Sequence, residues 1–127
     1  MIPASVAQRS FGIFFIFAGI MHFVIPKTYA AIVPGWLPKE RRRDIVYASG
    51  VAEIAGGVGV LHRRTRRLGS LWSVATLVAV FPANWHMYRH PDRYELPGGK
   101  LSLLMRLPVQ LLFIAWALAA GRDSADD

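Results

Sequence analysis

Hydrophobic residues in this chain fall into four long blocks, and the polar residues lie almost wholly between them. The blocks cover about 6–25, 45–61, 68–85 and 101–120. The first has FGIFFIFAGIMHFVI as its core and Arg9 near its start. Each block is close to the roughly 20 residues that a helix needs to cross a hydrocarbon layer about 30 Å thick. Strands fit poorly, because the blocks are too long and lack alternation with period 2. A soluble four-helix bundle needs a polar stripe on every helix. Here the stretch 74–83 has only Thr76 as a polar residue, and 107–120 has only Gln110. The pattern predicts an all-α integral membrane four-helix bundle, a single domain with four spans.

The connections differ in character. Residues 26–44 contain Pro26, Pro34 and Pro38, which prevent one continuous helix. Tyr29, Ile32, Val33, Trp36 and Leu37 give this stretch an apolar side, so an interfacial segment between the first two spans is expected, with Trp36 as its anchor. The second connection, HRRTRR, holds Arg63, Arg64, Arg66 and Arg67. The third, about 86–100, includes PDRYELPGGK and reads as a turn-rich loop. The tail 121–127 is short and acidic. The first block is expected to be retained and not cleaved as a secretory signal: its charged region is a single Arg9, and Pro26 and Lys27 occupy the place of a cleavage region.

Composition agrees with this pattern. Of 127 residues, 54% are hydrophobic and 18% charged. A soluble domain is nearer to about one quarter charged. The hydrophobic content excludes low-complexity disorder. The absence of cysteine excludes disulfides and thiolate chemistry. The net charge of +7 is clustered in the connections, where arginines mark topology and meet lipid headgroups. Nucleic-acid binding is not expected from clusters so close to two spans. Six Lys or Arg fall on the side of the termini and eight on the other, so the positive-inside rule gives no vote by number. The density of the arginine connection puts both termini on the cytoplasmic side of a multi-pass cell-membrane protein.

Ionisable residues inside spans cost at least about 2.5 kcal/mol on insertion scales and are functional hypotheses by default. Three occur, His22, Glu53 and Arg106, with Asn84, His86 and Gln110 as polar companions. In four antiparallel helices these groups converge on one half of the membrane. Gly50 and Gly57 flank Glu53 at helical spacing, and Ala18 and Gly19 precede His22 in the same way. Asn84 shares a stripe with Val80, Thr76 and Ser73, while Arg106 and Gln110 are four apart with Pro108 between them. The expectation is an intramembrane polar cluster of His22, Glu53, Asn84, Arg106 and Gln110, centred on Glu53 and Arg106. Two readings stand side by side. One is a buried ion-pair network that fixes helix register. The other is a pocket that binds a polar head such as a quinone ring, or relays protons. No metal site is expected, because His22 and His86 lack a paired His or carboxylate spacing. The glycines at 56, 57 and 59 lie inside a span and serve helix packing, not nucleotide binding.

The run GIMHFVIPKTY with VPGWLP, then SGVAEIAGGVGVL followed by arginines, then VFPAN and RLPVQLLFIAW, resembles the DoxX-like family of small four-span membrane proteins. The resemblance covers about residues 10–118, and His22, Glu53, Pro82, Asn84 and Arg106 match its pattern. It implies a membrane four-helix bundle. Some members are tied to quinone-linked oxidation of thiosulfate and others to membrane complexes that manage oxidative stress. Some relatives use cysteines, so a disulfide-transfer role does not carry over to this chain. The resulting expectation is an accessory or assembly subunit of a membrane redox complex, partnered by the bilayer and by membrane or membrane-associated redox proteins. The alternatives are a quinone-reactive oxidoreductase subunit with a Glu/Arg pocket, and a small proton-coupled transporter. The transporter fits less well, because the membrane glutamate of four-span exporters lies in the first span and here it lies in the second. A homo-oligomer is also among the readings left open.

Overall fold

Five helices and one 3₁₀ turn account for nearly all of the described residues, 3–30, 38–89 and 99–122, in this computed structural model. The helices are α1 (Ala4–Val24), α2 (Pro26–Ala30), α3 (Arg42–Leu61), α4 (Arg66–Arg89) and α5 (Gly99–Ala120), and the 3₁₀ turn is Lys39–Arg41. No strand occurs among the described residues, so the all-α expectation holds. Each hydrophobic block is one helix, but the helices run past the blocks into charged sequence. The third begins at Arg42 rather than 45, and the fourth spans Arg66–Arg89 rather than 68–85. Hydropathy changes where the surroundings change, whereas arginine is a good helix former and lets backbone hydrogen bonding continue. Of the connection expected at the interface, α2 and the 3₁₀ turn are seen. Residues 31–37 with Trp36, the loop 90–98 and the tail 123–127 lie outside the described residues.

The long helices form an antiparallel ring in which α1 and α4 each pack on both α3 and α5. Individual contacts set the register. Gly19 meets Gly50 and Gly12 meets Gly57 between α1 and α3. Gly59 meets Gly69 between α3 and α4. Phe11 packs edge-on to Trp116 at 5.4 Å, and Phe14 lies 5.3 Å from Phe113, between α1 and α5. Ser70 Oγ donates to the Ala117 carbonyl at 2.7 Å between α4 and α5. The α1–α3 approach is close along its length. A β-carbon on Gly19 would fall 2.6 Å from the Gly50 carbonyl oxygen, so only glycine permits this backbone separation.

The apolar core, Phe11, Phe15, Val60, Leu77, Ala117 and Ala120, occupies the half of the ring nearer the arginine connection. The outside is also apolar. Ile13 and Phe17 on α1, Val51 and Val58 on α3, Leu71 and Val78 on α4, and Leu111 and Leu112 on α5 are all exposed. Meanwhile Gln8, His22, Arg66, Ser70, Ser73 and Gln110 are buried. Two helices, α1 and α3, are long and apolar enough to cross a membrane, and α5 has a shorter apolar stretch, Leu104–Ala120.

The C-terminus of α3 accounts for one of the buried charges. A helix leaves its last four carbonyls without intrahelical donors. Here the His62 N–H donates to Val58 O (3.2 Å), Thr65 Oγ to Gly59 O (2.8 Å), Arg66 Nε to Val60 O (3.3 Å) and Gln8 Nε2 to Leu61 O (3.2 Å). All four are satisfied, and the arginine charge also suits the negative end of the helix dipole. Arg66 therefore leaves the exposed group of Arg63, Arg64 and Arg67 with which the sequence lists it.

Candidate functional site

His22 lies in the last turn of α1, and Glu53 lies just past the middle of α3. A helical Cα–Cβ bond tilts toward the helix N-terminus. Glu53 thus leans back to the level of Gly50, and the His22 ring leans inward from the end of α1. The two meet at 2.9 Å, His22 Nε2 to Glu53 Oε2, with both side chains largely buried. The space exists because Gly50 has no side chain. A β-carbon there would lie 2.8 Å from His22 Cβ.

The partners of the imidazole decide where its protons sit. Its Nδ1 faces the Ala18 carbonyl at 2.7 Å. A carbonyl only accepts, so Nδ1–H must donate. Nε2 then faces a carboxyl oxygen, and one further proton has to lie between them. Whether that proton rests on the ring or on the carboxyl, the pair as a whole is neutral.

Tyr29, on α2, closes over this pair. Its ring stacks on His22 with centroids 3.8 Å apart and planes 21° apart. Burial, and then the nearby Glu53 carboxyl group, push the Tyr29 phenol above its usual range, so it is a neutral hydrogen-bonding group at physiological pH. Beside it, Phe23 and Tyr47 stack at 5.1 Å and link α1 to α3.

The other expected cluster residues fall in different places. Arg106 is on α5. Continuing the register of Phe14 against Phe113 by two turns sets Arg106 across from Met21, at the level of His22. Glu53 nevertheless pairs with His22 and not with Arg106, whose Nε is buried without a hydrogen-bond partner. Gln110, one turn deeper, donates its amide to the Leu77 carbonyl and so joins α5 to α4. Asn84 lies on α4, with its side chain outside the described residues. The expected centre of Glu53 and Arg106 is thus replaced by a centre of His22 and Glu53, with Arg106 at the same depth. Tyr29 was not visible in the spacing, because the break at Ile25 and Pro26 resets the helical phase before it. Among the described residues, no group of three or more His, Cys, Asp or Glu could hold a metal ion.

Residues 11–121 match a family model described as a domain of unknown function, DUF8561. The chain belongs to this family. No curated protein and no solved structure matches it.

Proposed function

We propose that this DUF8561 chain is a four-span, multi-pass cell-membrane protein with both termini cytoplasmic, acting as an accessory or assembly subunit of a membrane redox complex. One observation carries the membrane part. Large apolar side chains face outward on all four long helices, while glutamine, serine, arginine and histidine are turned inward. That is the arrangement a lipid solvent favours, and contiguous apolar surface on this scale marks an interaction site in a soluble protein. The accessory role draws support from the use of Gln8, Arg66, Ser70 and Gln110 to satisfy backbone carbonyls across helices. Such polar groups hold an architecture together. The ordered resemblance to DoxX-like proteins supports the redox setting.

Membrane residence is tested by alkaline carbonate extraction, where release into the supernatant would remove the reading. Topology is tested by a C-terminal alkaline phosphatase fusion, for which the expected result is no activity. The accessory role is tested by purification in mild detergent at native expression. The expected result is copurification with redox proteins, and a lone monodisperse species counts against it.

A second reading, a quinone-reactive subunit, is favoured by the proton held between His22 and Glu53 beneath Tyr29, since quinone reduction consumes protons at the ring oxygens. Quinone that copurifies with the protein and is lost in Glu53→Gln supports it. Unchanged quinone content in that variant removes Glu53 from the scheme.

A further inference from the structure

Arg106 carries a charge that nothing on the described helices neutralises. A guanidinium stays protonated at any pH at which a protein folds. Its Nε is inaccessible to solvent and has no hydrogen-bond partner. Three acids occur among the described residues. Glu40 and Asp44 are exposed near the start of α3, and Glu53 is held by His22. The ion pair that Glu53 makes is with His22, and Arg106 Nε has no partner. A second guanidinium, that of Arg42 at the start of α3 and the same end of the ring, also has a buried Nε without a partner. Two guanidinium groups with buried, unpartnered Nε atoms therefore belong to this half of the ring, one on α3 and one on α5.

We propose that the ring binds an anion beside Arg106, at the end where α2 packs on α1 and α3, and that the anion is a carboxylate or phosphate group. The planar guanidinium presents parallel N–H donors that match two oxygens of such a group. A halide lacks that geometry. The two sources of this chemistry are the headgroup of an acidic phospholipid and a free anion entering from the aqueous side. The inference rests on the four-span reading, since an unpaired guanidinium is costly chiefly where water is excluded.

The test uses the full chain in nanodiscs and follows its thermal unfolding midpoint. One arm compares phosphatidylcholine with a mixture of phosphatidylcholine and phosphatidylglycerol. The other titrates inorganic phosphate against the phosphatidylcholine sample at constant ionic strength. The expected result is a saturable rise in one arm, retained in Arg63→Gln and lost in Arg106→Gln. A rise with phosphatidylglycerol alone identifies a lipid headgroup, and a rise with phosphate identifies a free anion. No rise in either arm, or an equal rise in Arg106→Gln, overturns the proposal. If Arg106→Gln does not fold, the Arg106 Nε–H resonance of the wild-type protein serves instead. It should shift on titration, and an unmoved resonance overturns the site. Carbonate extraction keeps the two ideas apart: a chain that stays in the membrane but shows no anion effect loses this site alone.

Discussion

Glu53 reaches His22 across the α1–α3 interface because Gly50, one turn earlier on α3, has no side chain. A β-carbon on Gly50 would sit 2.8 Å from both His22 Cβ and the Gly19 carbonyl oxygen. Gly50→Ala therefore has to push two backbones apart. The expected cost is about 1–3 kcal/mol, as for overpacking in a core. Reversible unfolding in mixed detergent measures it, and an unchanged midpoint would mean that the helices do not approach this closely.

The ion pair itself predicts strong coupling. Breaking one partner of a buried pair strands the other, at roughly 3 kcal/mol or more. His22→Ala and Glu53→Ala should each be costly, and the double variant should cost far less than their sum, with a coupling of about 0.5–3 kcal/mol. A double-mutant cycle with additive effects would show that the two groups do not interact.

At the other end of the ring, the arginines of one short connection should behave differently. Arg66→Met removes a buried donor from the Val60 carbonyl and should cost about 1–3 kcal/mol. Arg64 is exposed, and Arg64→Met should stay within about 0.5 kcal/mol of the parent. Equal losses in unfolding free energy would place the two arginines in equivalent surroundings.

Ser73 is fully buried, and its hydroxyl has no partner. Ser73→Ala removes an unsatisfied polar atom and should be neutral or stabilising. Gly56→Ala directs a β-carbon to within 2.4 Å of that hydroxyl and should destabilise. Measured together, the two variants also predict relief, with Gly56→Ala less harmful in the Ser73→Ala background, where the hydroxyl it meets is gone.

The solvent around the ring can be probed at Ile13, which is 63% exposed near the middle of α1. In water, Ile13→Lys would be harmless. In lipid it should cost about 2.5–3.5 kcal/mol of insertion free energy. A glycosylation-based insertion assay on α1 separates the outcomes, and unimpaired insertion would count against the span.

The four hydrophobic blocks were enough to locate the four long helices, because an apolar run of that length has few other ways to satisfy its backbone. Residue spacing also placed Glu53 on the glycine face of α3, since helical periodicity is a local property. His22, Glu53, Arg106 and Gln110 stood out in the sequence because polar groups are rare inside such blocks. Their partners did not. Spacing along one helix carries no information about its rotation against another, so the choice of His22 over Arg106 for Glu53 was not legible. Nor was the bond from the Gln110 amide to the Leu77 carbonyl on α4.

Sequence alone therefore determined the helices, their apolar character and the short list of polar residues among them. These follow from the composition of each segment and the length a helix needs. Tertiary structure decided which of those residues meet. It brought Tyr29 back over His22, withdrew Arg66 from the exposed arginines, and left the Nε of Arg106 buried without a partner. Those outcomes depend on how closely two backbones approach. That distance is set by glycines facing each other across an interface, and no single segment of sequence encodes it.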